Sequence, residues 1–227
     1  DAVLAIVVPK GSHAAYREQI VLDAKSVVRA PVGKGHVEAA TLPMNGLTAR
    51  RSLDLLGLSQ GQVLAVTGAA GAYGGYVVQL AKADGLTVIA DASEQDETLV
   101  KSLGADIIVR RGKDVADRFR EHFPDGVDGV ADGALINADV LPAVKDGGGY
   151  TSLRAYKPDA PVRGINATAT MVRDYVLETD KLDRLVKQVE AGEVTLRVAE
   201  TYPPEKAPDA HARLEAGGTR GRLVLTF

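Results

Sequence analysis

The 227-residue chain contains no cysteine. Disulfide bridges and thiolate zinc ligation are thereby excluded, and a reducing, cytoplasmic setting is expected. No apolar run is long enough to span a bilayer and no signal-peptide pattern marks the first residues, so no membrane partner is expected. Long basic runs are absent as well. With a net charge of −3, nothing in the charge pattern points to nucleic acid. The four histidines stand far apart, at 13, 36, 122 and 211, and without cysteine they offer no clustered metal site, so no metal is expected. No Ser-His-Asp set and no paired carboxylates stand out, and no catalytic residue is assigned. What remains is the composition of a folded protein, 45% hydrophobic and 25% charged, long enough for one large domain or two small ones.

One stretch organises the chain. Residues 62–85 read QVLAVTGAAGAYGGYVVQLAKADG. Val63, Leu64, Ala65 and Val66 form a short apolar run suited to a strand buried on both faces. A turn rich in glycine follows, with Gly68, Gly71 and Gly74 at G-x-x-G-x-x-G spacing. Tyr76, Val77, Leu80 and Ala81 then share one helical face, and Gly85 supplies a stop. Strand, glycine turn and helix make the first half of a dinucleotide-binding βαβ unit. Glycine has a specific use there. A pyrophosphate must approach the backbone closely, and the first N–H groups of the helix, lacking internal partners, can donate to it. A second strand, Thr87 to Asp91, follows, and Asp91 lies where a ribose-binding carboxylate would.

The rest of the chain keeps this rhythm. Helices are expected at 97–103, 114–123 and 138–144, and strands at 106–109, 127–132, 150–156 and 162–169. Such alternation demands a mostly parallel sheet with helices on both faces, an α/β doubly wound fold. Ahead of it lie short extended pieces, Val3 to Val8, a loose alternation from His13 to Leu22, and Val27 to Pro31. Two helices follow, Val37 to Leu42 and Leu47 to Leu56, separated by Pro43. After it come an amphipathic helix at 180–191, a strand at 195–204, a helix at 208–214 and a closing strand at 222–227. The tail strands are expected to rejoin the N-terminal ones, so that the nucleotide domain is inserted in a discontinuous second domain.

In this order the pieces resemble the medium-chain dehydrogenase/reductase superfamily, and within it the zinc-independent quinone oxidoreductase branch that includes zeta-crystallin. PMNGLTA (Pro43 to Ala49), GAAGAYG (Gly68 to Gly74), KSLGAD (Lys101 to Asp106), DGGGYTSL (Asp146 to Leu153) and GRLVL (Gly221 to Leu225) carry the resemblance. It implies a Rossmann domain at 46–170, flanked by a partial, GroES-like and partly open β-barrel domain at 1–45 and 171–227, into which this sequence enters partway.

The resemblance further implies a reductase that moves hydride from NADPH to a quinone, enone or similar small carbonyl, as a homodimer joined at the Rossmann sheet edge. An enoyl-thioester reductase and a non-catalytic nucleotide-binding protein are the alternatives. It places Thr48, and with it Asn45, near the nicotinamide. Gly71, Ala72, Tyr73 and Gly74 fall at the pyrophosphate, Gly133 and Ala134 at the ribose, Leu153 and Arg154 at the carboxamide, and Arg222 again at the pyrophosphate. The proton could come from water, a cofactor hydroxyl or a tyrosine, and sequence does not rank Tyr16, Tyr73 and Tyr150. The cofactor signals conflict. Asp91 would favour NADH, whereas the small Ala92 and Ser93 leave room for a 2′-phosphate and Arg111, at the end of the third strand, would clamp it.

Overall fold

The computed structural model describes every residue except Lys10, Ser12, His13 and Lys157. The chain divides into two units, residues 1–47 with 172–227, and residues 48–171. In the first, β1 (Val3–Ala5) pairs antiparallel with β2 (Val27–Arg29). Only three residues of the expected Val3–Val8 run are strand. His13 lies outside the described residues, and the remainder of the stretch to Leu22 forms no strand. Next come α1 (His36–Ala39) and α2 (Leu42–Leu56). Pro43, expected to interrupt, instead sits in the first turn of α2. There its missing N–H removes no helical hydrogen bond and its fixed φ suits the helix. The helix runs on to Gly57, which stops it at φ +60°.

The second unit carries the sheet. Its elements are β3 (Val63–Thr67), α3 (Ala72–Ala83), β4 (Thr87–Ala92), α4 (Glu97–Ser102), β5 (Ile107–Arg110), α5 (Val115–His122), β6 (Val127–Asp132), β7 (Val144–Ser152) and β8 (Asn166–Ala169). The six strands lie in the order β5-β4-β3-β6-β7-β8, all parallel. Chain order runs outward from β3 to β5, then jumps back to β6 on the other side of β3. That reversal is the topological switch point, and the crevice beyond the carboxyl ends of β3 and β6 is where such sheets bind ligands. One sheet face is filled by Ala65, Ile89, Val130 and Tyr150 against Phe119 of α5 and Val140, all in one buried cluster.

Two expectations fail between β6 and β8. Residues 137–143 form a 3-10 helix in place of the expected α-helix, with Pro142 inside it. The next strand starts earlier than expected and ends at Ser152, taking in Gly147, Gly148 and Gly149. Those glycines looked like a turn, yet two of them serve close packing. A Cβ on Gly148 would lie 2.9 Å from the Asp128 carbonyl oxygen, and one on Gly149 2.7 Å from Leu56 Cδ2.

The tail returns to the first unit through α6 (Thr179–Glu190), β9 (Val198–Tyr202), α7 (Ala207–Glu215) and β10 (Arg222–Leu225). Leu182, Leu185, Val186 and Val189 make the buried face of α6, as their spacing demands. The tail strands lie in the same unit as the N-terminal ones, but among the described residues the two sets do not pair. β9 pairs in parallel with β10, so the described residues of this unit hold two separate two-stranded sheets. Helices tie them together, α6 against β2 and α1 against β9. Among the described residues, no helix is long and apolar enough to cross a membrane.

The tightest approach in the sheet unit is at the start of α3. A Cβ on Gly74 would stand 2.3 Å from the carbonyl oxygen of Gly68 and 2.8 Å from Ala69 Cα. Both are backbone and neither can rotate away. Gly74→Ala is therefore expected to lower the unfolding free energy by at least roughly 1–3 kcal/mol, the usual range for overpacking, as read from urea denaturation. An unchanged midpoint would mean that α3 is free to shift off β3.

Candidate functional site

The site is built where β3 and β6 end. Gly68 leaves β3 at φ +64°, and a Cβ there would press to 3.0 Å on both Ala134 N and Gly133 C. A glycine is thus required on two grounds, conformation and space. Gly71 is the N-cap of α3 with extended backbone and no side chain to cap with. The N–H groups of Ala72, Tyr73 and Gly74 open a twelve-residue helix, ahead of its regular ladder and with no side-chain cap. This is a cradle of partial positive charge aimed out of the switch point, and its dimensions suit a phosphate. A Cβ at the N-cap would stand 3.1 Å from the Gly68 carbonyl oxygen, so glycine also keeps the turn tight there. The turn therefore fits a dinucleotide pyrophosphate.

Gly133 and Ala134 form the opposite wall. The Gly133 N–H donates to the Thr67 carbonyl at 3.1 Å and the Ala134 N–H to Thr67 Oγ1 at 3.2 Å. Beneath them Asp132 is fully buried. It accepts from Thr67 Oγ1 at 2.6 Å, from Tyr150 Oη at 2.8 Å, and from the N–H groups of Asn137 at 2.8 Å and Ile136 at 3.3 Å. Four donors on one carboxylate hold a loop in which Leu135 and Asn137 both have positive φ, 59° and 53°. Tyr150 is thereby committed to an internal bond, and burial, followed by the Asp132 charge, pushes its phenol far up.

Tyr73 departs from the usual turn sequence and is buried. Its Oη lies 2.7 Å from Ser52 Oγ on α2; that serine also meets Thr170 Oγ1 at 2.8 Å and donates to the Thr48 carbonyl at 3.1 Å. Thus Thr48 reaches the turn through Ser52, one helical turn on. Asn45 precedes it on the same helix. Burial raises the Tyr73 phenol to about 12 against the lowering effect of the Ser52 bond, so it stays protonated at neutral pH. Tyr16 is exposed in the other unit, 2.8 Å from His211 Nε2. Leu153 and Arg154 follow the end of β7; Arg154 is exposed, and its carbonyl accepts from Ser152 Oγ at 2.6 Å. Arg222 opens β10 in the other unit.

Asp91 is where the structure differs most from expectation. It does not present a carboxylate at the end of β4. The residue is 2% exposed, and Oδ1 accepts from the Gly68 N–H at 2.7 Å and the Ala69 N–H at 3.3 Å. Oδ2 takes the Nε of Arg111 at 3.2 Å. The last residue of β4 is Ala92, also buried, and Ser93 turns its hydroxyl onto Asp96 at 2.6 Å. Burial raises the Asp91 carboxyl above 3.8, opposed by Arg111 and the two N–H groups. Sequence reasoning missed Ser52, Thr67, Asp132 and Thr170. Single hydroxyls on a helix or at a strand end carry no pattern; Asp132 alone had a signal, a carboxylate at a predicted strand's last position.

Among the described residues no group of three or more His, Cys, Asp or Glu comes together, so they offer no zinc site. His36, His122 and His211 stand on α1, α5 and α7.

Comparison with known proteins places this architecture. A family model described as zinc-binding dehydrogenase matches residues 103–225, more than half of the chain. The chain belongs to this family of oxidoreductases, within the medium-chain dehydrogenase/reductase superfamily. It is 28% identical over 233 residues to a probable zinc-binding oxidoreductase, mitochondrial, of Arthroderma benhamiae, covering 96% of this chain and 70% of that protein. It is 29% identical over 212 residues to a 2-methylene-furan-3-one reductase of Solanum lycopersicum, covering 92% and 51%. Among solved structures, an NAD-dependent alcohol dehydrogenase superposes with a TM-score of 0.81 at 27% identity, covering 95% of this chain and 66% of that one. A mycobacterial protein complexed with NADPH gives 0.77 at 25%, covering 90% and 69%.

The Tyr73–Ser52–Thr170 set generates a stability prediction. Tyr73→Phe removes one partner of a fully buried hydroxyl and is expected to cost about 1–3 kcal/mol, as is Ser52→Ala, with the double variant well short of the sum. Additive losses in chemical denaturation would show that the hydroxyls do not act together.

Proposed function

We propose that the protein is an NADPH-dependent reductase of quinones, α,β-unsaturated carbonyls or similar small carbonyl compounds, working without metal. The observation that carries the cofactor is the start of α3 at the sheet's switch point, with Gly71 as its N-cap and no side-chain cap. A reduced nicotinamide, when bound, supplies the hydride; the chain's own residues bind, orient and exclude water. Ala72, Tyr73 and Gly74 would donate N–H groups to the pyrophosphate, and Gly133 and Ala134 would give the ribose a close backbone wall. Leu153, Arg154 and Thr48 would serve the nicotinamide end.

Preference for NADPH is supported by the adenosine corner. Ala92 ends β4 with a methyl group and Asp91 faces away from solvent, so no carboxylate from β4 opposes a 2′-phosphate there. Arg111, 42% exposed, stands beside it. The tomato relative's name supports the substrate class, since a 2-methylene-furan-3-one is an enone.

Steady-state turnover of quinones, enones and alcohols with both cofactors tests this. A higher kcat/KM with NADPH is expected, unaffected by chelators, and Arg111→Ala should erase roughly ten- to hundredfold of the preference, the worth of one or two charge-assisted hydrogen bonds. An NADH preference that survives Arg111→Ala, or chelator-sensitive activity restored by zinc, would contradict it.

A homodimer across β8 is the matching quaternary arrangement. Among the described residues β8 has a strand neighbour on one side only, leaving an edge open to pairing. Light scattering should give about twice the 23.8 kDa of the chain, and a monomer at micromolar concentration would refute the dimer.

A further inference from the structure

We infer that Asp91 is a positioning residue that serves both phosphate sites of the bound dinucleotide: one carboxylate oxygen sets the glycine turn, and the other aims Arg111 at the 2′-phosphate. This rests on the dinucleotide reading above.

The first half follows from what Oδ1 touches. The Gly68 and Ala69 N–H groups begin the turn, and both donate to the same oxygen. Gly68 is in the left-handed region, and its Cα hydrogen faces Gly133 and Ala134 at van der Waals limits. The carboxylate therefore fixes the turn from below, on the side away from the cradle formed by Ala72, Tyr73 and Gly74. Two N–H groups that would otherwise be buried without a partner are satisfied, and the start of α3 is held at one height above β4.

The second half follows from Oδ2. The Arg111 backbone is already anchored, its N–H donating to the Ala92 carbonyl at 2.8 Å. Its side chain leaves β5 beside Asp91 and bonds by Nε at 3.2 Å, while the side chain as a whole stays 42% exposed. Among the described residues, no acceptor meets its two terminal nitrogens. A guanidinium held at Nε keeps the forked edge for a bidentate anion, and the long side chain loses its rotamer freedom before the ligand arrives. The neighbouring Arg110 is differently placed, with Glu94 at 3.5 Å and Glu97 at 3.4 Å. Arg111 is the one of the pair turned to a buried carboxylate.

Burial is the largest influence on the Asp91 carboxyl and raises it, while Arg111 and the N–H groups of Ala69 and Gly68 act the other way. The buried carboxylate is held against its desolvation by the same three partners that it positions.

A ribose-binding carboxylate and a positioning carboxylate predict opposite signs. Removing a ribose ligand weakens NADH and relieves repulsion of the 2′-phosphate, so the NADPH:NADH affinity ratio rises. Removing the anchor of Arg111 lowers it. Calorimetric titration of the whole chain with NADPH and with NADH, for wild type, Asp91→Asn, Arg111→Ala and the double variant, separates them. Asp91→Asn keeps an oxygen for the turn but presents an amide to Arg111 Nε. We expect an affinity ratio lowered about tenfold, and less than about a twofold further change on adding Arg111→Ala. A ratio that is unchanged or raised in Asp91→Asn overturns the inference. Should that variant fail to fold, Arg111→Lys replaces it. One ammonium cannot both bond Asp91 and present a fork, so the same fall is expected, and an unchanged ratio overturns the inference equally. Wild type binding neither cofactor would overturn the dinucleotide reading itself, and this inference with it.

Discussion

The rest of the sheet unit depends on one close approach, that of α3 to the carboxyl end of β3. Gly74 brings the first turn of the helix onto the Gly68 carbonyl, where a single methyl group would not fit. That contact fixes where the helix begins. With the start of α3 fixed, its leading N–H groups lie at the switch point between β3 and β6. Gly68, in turn, can lie against Gly133 and Ala134 only because it has no side chain. The walls of the crevice are backbone because three successive contacts leave no room for anything else.

Around this backbone core the chain places buried polar groups that are satisfied internally. Asp132 holds the β6 loop, Asp91 holds the turn, and Ser52 joins α2 to Tyr73 and Thr170. Each lies below the crevice, not in it. A site made mostly of N–H groups needs such support, because main-chain donors cannot adjust as side chains do; their direction is set by what holds the loop. Membership of the zinc-binding dehydrogenase family says nothing against this arrangement. The described residues simply lack a donor set for the metal that the family name mentions.

Much of this was legible because it depends on local rules. The apolar run before Gly68, the glycine spacing and the stop at Gly85 specify β3 and α3 without tertiary information, and β6 begins and ends where VDGVAD does. Other features depend on partners that sequence does not name. Gly147, Gly148 and Gly149 look like a turn until Leu56 and Asp128 are seen to press on the strand. Pro43 looks like a break until it is known to lie in a first turn. The direction of Asp91 was hidden for a similar reason. Strand alternation says that Asp91 and Ala92 face opposite ways, but only the placement of the turn over β4 shows which of them lies beneath it. Ser52 and Thr170 gave no signal, since a hydroxyl in an apolar helix or after a short strand looks like any other.

The central claim is that the N–H groups at the start of α3 receive the phosphates of a nicotinamide dinucleotide. Its most direct test is an amide-resolved NMR titration of the isotopically labelled chain with NADPH. The largest shifts are expected at the amides of Gly71, Ala72, Tyr73 and Gly74, with Gly133 and Ala134 next and the Arg111 Nε–H signal moving in step. Saturable binding that leaves those amides unmoved while shifting others, or no binding at millimolar NADPH, would contradict the account.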